Sequence, residues 1–138
     1  VSDVGLLTAK LMMPYNAVLS DINFGGEAKG AITENYVAEQ LAANGLNLYY
    51  WESNGKGEID FLLQTDKGVI PIECKSGEHV RSKSLSASYI PKYQPRYSIR
   101  ISGKNFGFEN NIKSIPLYAV WCLSDKMVSP IQEKESST

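Results

Sequence analysis

The sequence lacks the features that mark disulfide-rich proteins, membrane proteins and P-loop nucleotide-binding proteins. It holds only two cysteines, Cys74 and Cys122, too few for a disulfide scaffold and too far apart for a CxxC metal site. No apolar run approaches the roughly 20 residues that cross a bilayer, and no secretory signal opens the chain. A phosphate-binding GxxxxGKS/T loop is missing too, which excludes ATP hydrolysis by this chain. These absences predict a cytoplasmic protein with two reduced, buried thiols and no membrane segment.

Length and composition indicate one ordinary globular unit. A chain of 138 residues is long enough for one hydrophobic core, so residues 1–138 are interpreted as a single domain. Hydrophobic residues make up 43% and charged residues 21%, close to the averages for globular proteins. Because the chain begins with Val1 and not with methionine, we expect it to be a piece of a longer polypeptide. The polar run EKESST leads us to expect a disordered tail over 124–138.

The formal charge of −1 hides an uneven distribution along the chain. Between Lys75 and Lys104 lie seven basic residues and one acidic residue, whereas the rest of the chain has seven basic and fourteen acidic residues. Such a basic stripe fits a polyanion such as DNA, although an ordinary solvated face explains it equally well. The residues of the stripe that we predict to contact nucleic acid are Arg81, Lys83, Lys92, Arg96 and Arg100.

Hydrophobic spacing and turn residues predict a helix, three strands, a second helix and two more strands, which is an α/β sandwich. The segment 5–13 can form a short helix that ends at Pro14. A clear helical pattern covers about 27–44, and Gly45 stands where a left-handed C-cap is expected.

The remaining elements are predicted from strand-like runs and from one capping residue. Ser82 can cap a helix that runs to about Ile90, where Pro91 disrupts it. The predicted strands are 46–52, 58–64, 69–75, the run RYSIRI and the run PLYAVWCL.

The strands 58–64 and 69–75 are joined by the turn TDKG and should form an antiparallel hairpin. Side chains alternate between the two faces of a strand. On the first strand, one predicted face holds Glu58, Asp60, Leu62 and Gln64, and the other holds Ile59, Phe61 and Leu63. On the second strand, Glu73 and Lys75 share the face opposite Ile70, Ile72 and Cys74. If like faces meet, Asp60, Glu73 and Lys75 converge. Two carboxylates suit Mg²⁺, and a lysine can offer a positive charge to the scissile phosphate or transfer a proton for the attacking water. An ordinary salt-bridge ladder on a sheet face is the alternative.

Glu34 is a further candidate carboxylate. It falls within a helical stripe, Ala31, Glu34, Val37, Ala38 and Leu41, that should face the sheet. Buried there, it would need a cation, a metal ion or a proton. At the edge of the stripe, it would instead reach water, and both interpretations stay open.

These residues together resemble a known family. The segments TENYVAEQLAANG, YYWESNGKGEIDFLLQ and GVIPIECKSG, with a following KSL, are similar to the C-terminal domain of unknown function attached to prokaryotic AAA-type ATPases. The runs DVGLL and IPLYAV fit as well, so the resemblance extends from about Val1 to Leu123. That domain is similar to the PD-(D/E)XK restriction-endonuclease-like superfamily.

The resemblance implies a three-layer sandwich with a central mixed sheet flanked by helices. It also implies a DNA phosphodiesterase dependent on Mg²⁺ or Mn²⁺, working with an AAA-type ATPase domain that precedes Val1 in the same polypeptide. Catalytic roles fall on Asp60, Glu73 and Lys75, metal binding on Asp60, Glu73 and Glu34, and an auxiliary role on Glu58. The alternative is a catalytically inactive module of the same fold that recognises nucleic acid or protein.

One position departs from the related RecB-like nucleases. Those enzymes carry glutamine and tyrosine four residues apart on the helix after the lysine. Here that helix has Leu85 and Tyr89 at this spacing, with leucine where those enzymes have glutamine. This difference argues against a RecB-like mode of substrate binding.

Overall fold

The computed structural model describes residues 3–12, 26–53, 57–76 and 85–124. The predictions made for Ser82 and for the tail after Ser124 lie outside these ranges. The helical elements are α1 (Val4–Lys10), α2 (Gly26–Ala43), a π-helical turn (Leu85–Tyr89) that leads into α3 (Ile90–Tyr93), and a 3₁₀ helix (Leu117–Cys122). The strands are β1 (Leu48–Glu52), β2 (Glu58–Thr65), β3 (Gly68–Cys74), β4 (Ser98–Ser102), β5 (Gly107–Glu109) and β6 (Ile112–Pro116).

The described strands form one six-stranded mixed sheet in the order β1-β2-β3-β4-β6-β5. The β1–β2, β2–β3 and β5–β6 pairs are antiparallel, whereas β3–β4 and β4–β6 are parallel. The predicted α/β class is therefore confirmed. β3 is the strand at which the sheet changes from antiparallel to parallel pairing, and it carries Glu73.

The first half of the chain follows the sequence predictions closely. The α1 helix forms where a short helix was expected, but it ends at Lys10 and not at Pro14. The α2 helix ends just before Gly45, whose φ of +76° is the left-handed conformation of a C-cap. The β2–β3 hairpin also forms as predicted, and Gly68 provides its turn with a φ of +119°. Each of these elements has strong local signals, which is why its existence could be predicted without tertiary information.

The prediction that Pro91 ends the preceding helix is wrong. The π-helical turn Leu85–Tyr89 passes directly into α3, and Pro91 lies in the first turn of α3. Proline is tolerated at that position because the first backbone N–H groups of a helix have no intrahelical acceptor. The chain then leaves α3 through Gln94, which takes a left-handed conformation with a φ of +45°.

The prediction of a strand for PLYAVWCL is also wrong, because residues 117–122 form a 3₁₀ helix. Ala119, Val120 and Leu123 are buried, whereas Tyr118 and Trp121 are exposed. This spacing of three and four residues is helical, but a short apolar run hides it. The side chain of Asn44, after the end of α2, donates to the carbonyl oxygens of Trp121 at 2.8 Å and Leu123 at 2.7 Å. These bonds satisfy carbonyl groups at the end of the 3₁₀ helix.

The sequence predictions missed the β5–β6 hairpin. Its two-residue turn consists of Asn110 and Asn111, which have φ values of +51° and +58°. Positive φ at both central residues is the geometry of a type I′ turn, and asparagine tolerates it better than most residues. The Asn-Asn pair between GFE and IKSIP was the available signal.

Two hydrophobic clusters lie on opposite faces of the sheet. In the first, which we call the α2 core, Val37 and Leu41 pack with residues that include Leu63, Ile70, Ile72, Cys74, Ile99, Ile101 and Ile115. In the second core, Ile59, Leu85 and Tyr89 pack with Trp51, Leu62, Ile90 and Ile112. The neighbours Leu62 and Leu63 belong to different clusters, as expected when successive strand residues face opposite sides. Helical elements therefore cover both faces of the sheet.

The structure bears on two earlier expectations, one about membrane segments and one about the two cysteines. None of the described helices has the length and apolar character needed to cross a membrane. Cys74 and Cys122 are both free thiols, but only Cys74 is buried and Cys122 is half-buried.

Substitutions near the end of the 3₁₀ helix test its spacing. Leu123→Ala should lower the free energy of unfolding by about 2–5 kcal/mol, because it empties a site that is 1% exposed. Trp121→Ala should change it by less than about 1 kcal/mol, because the indole is 63% exposed. In a strand the two side chains would share one face, so equal losses in urea denaturation would contradict the helical spacing.

Candidate functional site

The site begins with an irregularity in β2. Between the pairs Tyr49–Leu62 and Trp51–Ile59, β1 advances by two residues and β2 by three, so β2 holds one extra residue opposite Tyr50. A β-bulge of this kind reverses the alternation of side chains along the bulged strand. The extra residue falls within Asp60–Phe61.

The bulge corrects the predicted faces of β2. Phe61 and Leu63 pack against the α2 core, whereas Ile59 and Leu62 pack against the second core. The prediction that Ile59 shares a face with Phe61 and Leu63 is therefore wrong, because regular alternation holds only for an unbulged strand. On β3, the prediction is confirmed: Ile70, Ile72 and Cys74 all belong to the α2 core.

Asp60 lies where the β2–β3 ladder ends. The last paired residues are Phe61 and Ile72, and beyond them the backbone N–H of Cys74 donates to Oδ2 of Asp60 at 2.6 Å. The carboxylate thus takes the place of a backbone acceptor in the ladder. The next residue, Lys75, donates its backbone N–H to Ile101 of β4 at 2.8 Å, which leaves β3 paired with β4 alone. Asp60 therefore lies at the open end of the hairpin.

Burial raises the pKa of the Asp60 carboxyl from 3.8 to about 6. The hydrogen bond from Cys74 opposes this shift, the charge of Glu34 adds to it, Lys75 lowers the pKa and Glu73 raises it. The main cause is desolvation, which disfavours the charged form of a carboxylate. A cation beside Asp60 would act in the opposite direction.

Glu73 is the second carboxylate of the site and is only 3% exposed. Its Oε1 lies 3.3 Å from Nζ of Lys75, and its Oε2 lies 3.6 Å from Nε of Arg100. The contact with Lys75 agrees with the prediction that these two residues share a face. Among the described residues, neither Oε2 of Glu73 nor Nε of Arg100 has a hydrogen-bond partner. Buried polar atoms seldom lack a hydrogen-bond partner, so these two atoms have an unusual environment.

Glu34 follows the second of the two interpretations left open by the sequence. Val37 and Leu41 are fully buried, but Glu34 lies at the exposed edge of the helical stripe. Partial desolvation is the largest cause that raises the pKa of its carboxyl; Glu58 raises it further, and Lys75 lowers it. Glu34 and Glu58 are thus electrostatic neighbours of the site.

Three of the predicted carboxylates line one open cleft. The volume of this cleft is about 250 Å³, and its lining residues are Glu34, Glu58 and Asp60 with Tyr50, Trp51, Glu52 and Ile59. No lysine or arginine is among them. A negatively charged ligand is therefore repelled from this cleft unless a cation accompanies it.

The donor set fits a hard divalent cation in chemistry but is not a preformed cage. Within the described ranges, no three histidine, cysteine, aspartate or glutamate residues are placed to hold a metal ion together. Asp60 and Glu73 supply two carboxylates, and Mg²⁺ is commonly bound by one or two carboxylates with water and substrate completing the shell. Metal binding by Asp60, Glu73 and Glu34 stays a prediction.

The predicted basic stripe divides into different environments. Lys92 and Arg96 are exposed, and Nζ of Lys92 lies 5.0 Å from the ring centroid of Tyr93. The side chain of Arg100 is only 17% exposed. Arg81 and Lys83 lie outside the described residues. Contact of these five residues with nucleic acid stays a prediction.

The sequence predictions missed the role of Arg100 as a partner of Glu73. In the parallel register of β3 with β4, Arg100 stands directly beside Glu73. The run Ser98-Ile99-Arg100-Ile101-Ser102 did carry a signal, since a basic residue alternates with buried isoleucines. Its neighbour could not be assigned, because parallel pairing leaves no local trace in the sequence.

The fold and the site define a mixed α/β domain with carboxylates gathered at the open end of a hairpin. Residues 29–120 match the family described as Domain of unknown function (DUF4143), and the chain belongs to this family. Neither a curated protein nor a solved structure matches the chain.

The pKa of Asp60 predicts how stability depends on pH. A raised pKa means that the folded state binds the proton more tightly, so stability is lost as pH rises from about 4 through about 6. In metal-free buffer, Asp60→Asn should leave stability unchanged near pH 4 and increase it by about 2 kcal/mol above pH 7, since asparagine keeps an acceptor for Cys74 without the charge. Thermal unfolding across this range measures the difference.

Asp66→Asn, in the exposed hairpin turn, is the matched control and should show no such trend. A stability gain for Asp60→Asn that is equal at pH 4 and pH 8 would show that the charge of Asp60 is not desolvated.

Proposed function

We propose that this domain is a metal-dependent phosphodiesterase that cuts DNA and works with an AAA-type ATPase domain of the same polypeptide. The observation that carries the proposal is the hydrogen bond that holds Asp60 to the backbone of Cys74, the residue between Glu73 and its ion-pair partner Lys75. One carboxylate there is desolvated, the other is buried, and a lysine touches the second. Such a combination is typical of sites that bind a cation and a phosphate.

The sheet supports a PD-(D/E)XK core as the finer assignment of the fold. A helix, α2, precedes an antiparallel hairpin, and the second hairpin strand continues into parallel pairing with β4 and β6. The aspartate stands on the first hairpin strand, and the Glu-x-Lys pair closes the second. Glu34 on α2 is an electrostatic neighbour of both Asp60 and Lys75.

Asp60 and Glu73 are the residues that would hold Mg²⁺ or Mn²⁺. A divalent ion supplies Lewis-acid polarisation of a phosphate and a lower pKa for bound water. Desolvation of Asp60 and the absence of a hydrogen bond at Oε2 of Glu73, among the described residues, favour cation binding. Two carboxylates without further protein ligands bind Mg²⁺ weakly, so substrate phosphate would contribute to the affinity.

Lys75 has the position and exposure for a role toward the phosphate. Its side chain is 36% exposed, and its ammonium lies 3.3 Å from Glu73. An ammonium group carries three donors and no acceptor, so Lys75 can contact Glu73 and still donate to a phosphate oxygen or to the attacking water. The contact with Glu73 keeps the ammonium near the two carboxylates.

Exposed basic residues provide the proposed contacts with the DNA backbone. Lys92 and Arg96 are exposed, and such side chains bind phosphates through charge and release of counterions. The cleft beside Asp60 has a lining of carboxylates, so a phosphate can approach it only with a divalent cation. DNA binding at the site is therefore expected to depend on the metal.

A catalytically inactive recognition module is the second candidate. It is favoured by the position of Glu73 between Lys75 and Arg100, since an acid held by two cations resembles an internal ion-pair network. Such a module would bind nucleic acid or a protein partner and would not cleave a phosphodiester.

Cleavage assays distinguish the two candidates. The domain should cut DNA in Mg²⁺ or Mn²⁺ and not in a chelator, and Asp60→Asn and Lys75→Met should each lower the rate at least about 100-fold. The controls Asp66→Asn and Lys67→Met remove the same charges from the exposed turn of the same hairpin and should cut normally. Metal-independent DNA binding without cleavage by any of these proteins would instead support the recognition module.

A further inference from the structure

Arg100 differs from Lys92 and Arg96, the other described candidates for DNA contact, because its charge is shielded from solvent. Its Cα is paired with that of Glu73 in the parallel β3–β4 register, and its side chain is 17% exposed. Lys92 and Arg96 are exposed. A guanidinium shielded from solvent in this way is poorly placed to follow a DNA backbone. Its charge acts instead on the neighbouring carboxylate.

Glu73 needs such a charge because it is only 3% exposed. A buried carboxylate without a positive partner is strongly destabilising, since nothing replaces its hydration. Lys75 supplies one partner, but at 36% exposure its attraction is screened by water. Arg100 is the more shielded cation, so its interaction with Glu73 is less weakened by the solvent.

The contact between Arg100 and Glu73 has an unusual form. Nε lies 3.6 Å from Oε2, and neither atom makes a hydrogen bond to any described residue. An arginine that serves only to fix a carboxylate normally does so through short, paired hydrogen bonds. Here the positive charge is near, but the lone pairs of Oε2 are not used by this arginine. The oxygen therefore keeps its capacity to bind a cation.

We propose that Arg100 is a positioning residue that serves as the countercharge of Glu73 while no metal ion is bound, and that it competes electrostatically with a divalent cation for that carboxylate. The part that concerns the cation rests on the proposed function. Arg100 thereby stabilises the metal-free fold and weakens metal binding, so that without substrate phosphate the site fills only at high cation concentration.

A double-mutant cycle in a chelating buffer tests the countercharge without any metal. Arg100→Gln should destabilise the wild-type chain but should do little in the Glu73→Gln background, where the charge that it compensates is gone. We expect a coupling of about tenfold in the unfolding equilibrium constant, measured by urea denaturation. If Arg100→Gln alone fails to fold while the double variant folds, the coupling is shown more strongly. Equal losses in both backgrounds would overturn the proposal.

Titration with Mn²⁺, followed by electron paramagnetic resonance, tests the competition. Arg100→Gln should bind Mn²⁺ more tightly, on the order of tenfold, because a positive charge next to the ligand is removed. Arg100→Lys keeps the charge and should bind as the wild type does, and Lys67→Gln, in the exposed hairpin turn, is a control without effect. A merely structural loss would loosen the site and weaken binding, so weaker binding to Arg100→Gln would contradict the proposal.

The two arms separate this proposal from the proposed function. If no variant binds Mn²⁺ but the cycle shows coupling, the nuclease proposal fails and the countercharge role stands. If Mn²⁺ binds and the cycle shows no coupling, the role of Arg100 fails alone. A third measurement follows DNA binding at increasing salt concentration. Arg96→Gln should reduce the salt dependence of binding, whereas Arg100→Gln should not. An equal reduction by both would make Arg100 a phosphate contact.

Discussion

The hydrogen bond from the backbone of Cys74 to the Asp60 carboxylate is the interaction on which the arrangement of the site depends. It is 2.6 Å long and stands where the β2–β3 ladder stops. The bulge in β2 interrupts the regular pairing near Asp60, and the bond then holds the carboxylate against β3, where Glu73 and Lys75 influence its charge. Without this bond, the Asp60 carboxylate would have no partner on β3, and the proposed cation site would lose one of its two fixed acids.

The same region concentrates buried charge, which has a cost. Asp60 is desolvated, and Glu73 is buried with a cation on each side. Buried ion pairs contribute little net stability, because desolvation cancels much of their attraction. A protein that needed only stability could place apolar residues at these positions. The proposed function gives the arrangement a reason, because a bound cation would relieve the desolvation of the Asp60 carboxylate.

The sequence predicted the elements with strong local signals and the acids they carry. The helix before Gly45, the hairpin around Gly68 and the shared face of Glu73 and Lys75 all follow from spacing and turn chemistry. Three features could not be predicted in this way. The bulge lies in the pairing of β2 with β1, the end of the 3₁₀ helix 117–122 is hydrogen-bonded to the distant Asn44, and the place of Arg100 follows from parallel pairing. Each is decided by distant parts of the chain.

The central claim is that Asp60 and Glu73 form one cation site. Anomalous diffraction from crystals of the protein soaked in saturating Mn²⁺ tests it most directly. The account predicts one manganese peak within bonding distance of both carboxylates, absent from Asp60→Asn crystals grown in the same form. A map with no manganese at the hairpin end, or with the ion bound elsewhere among the exposed acids, would contradict it.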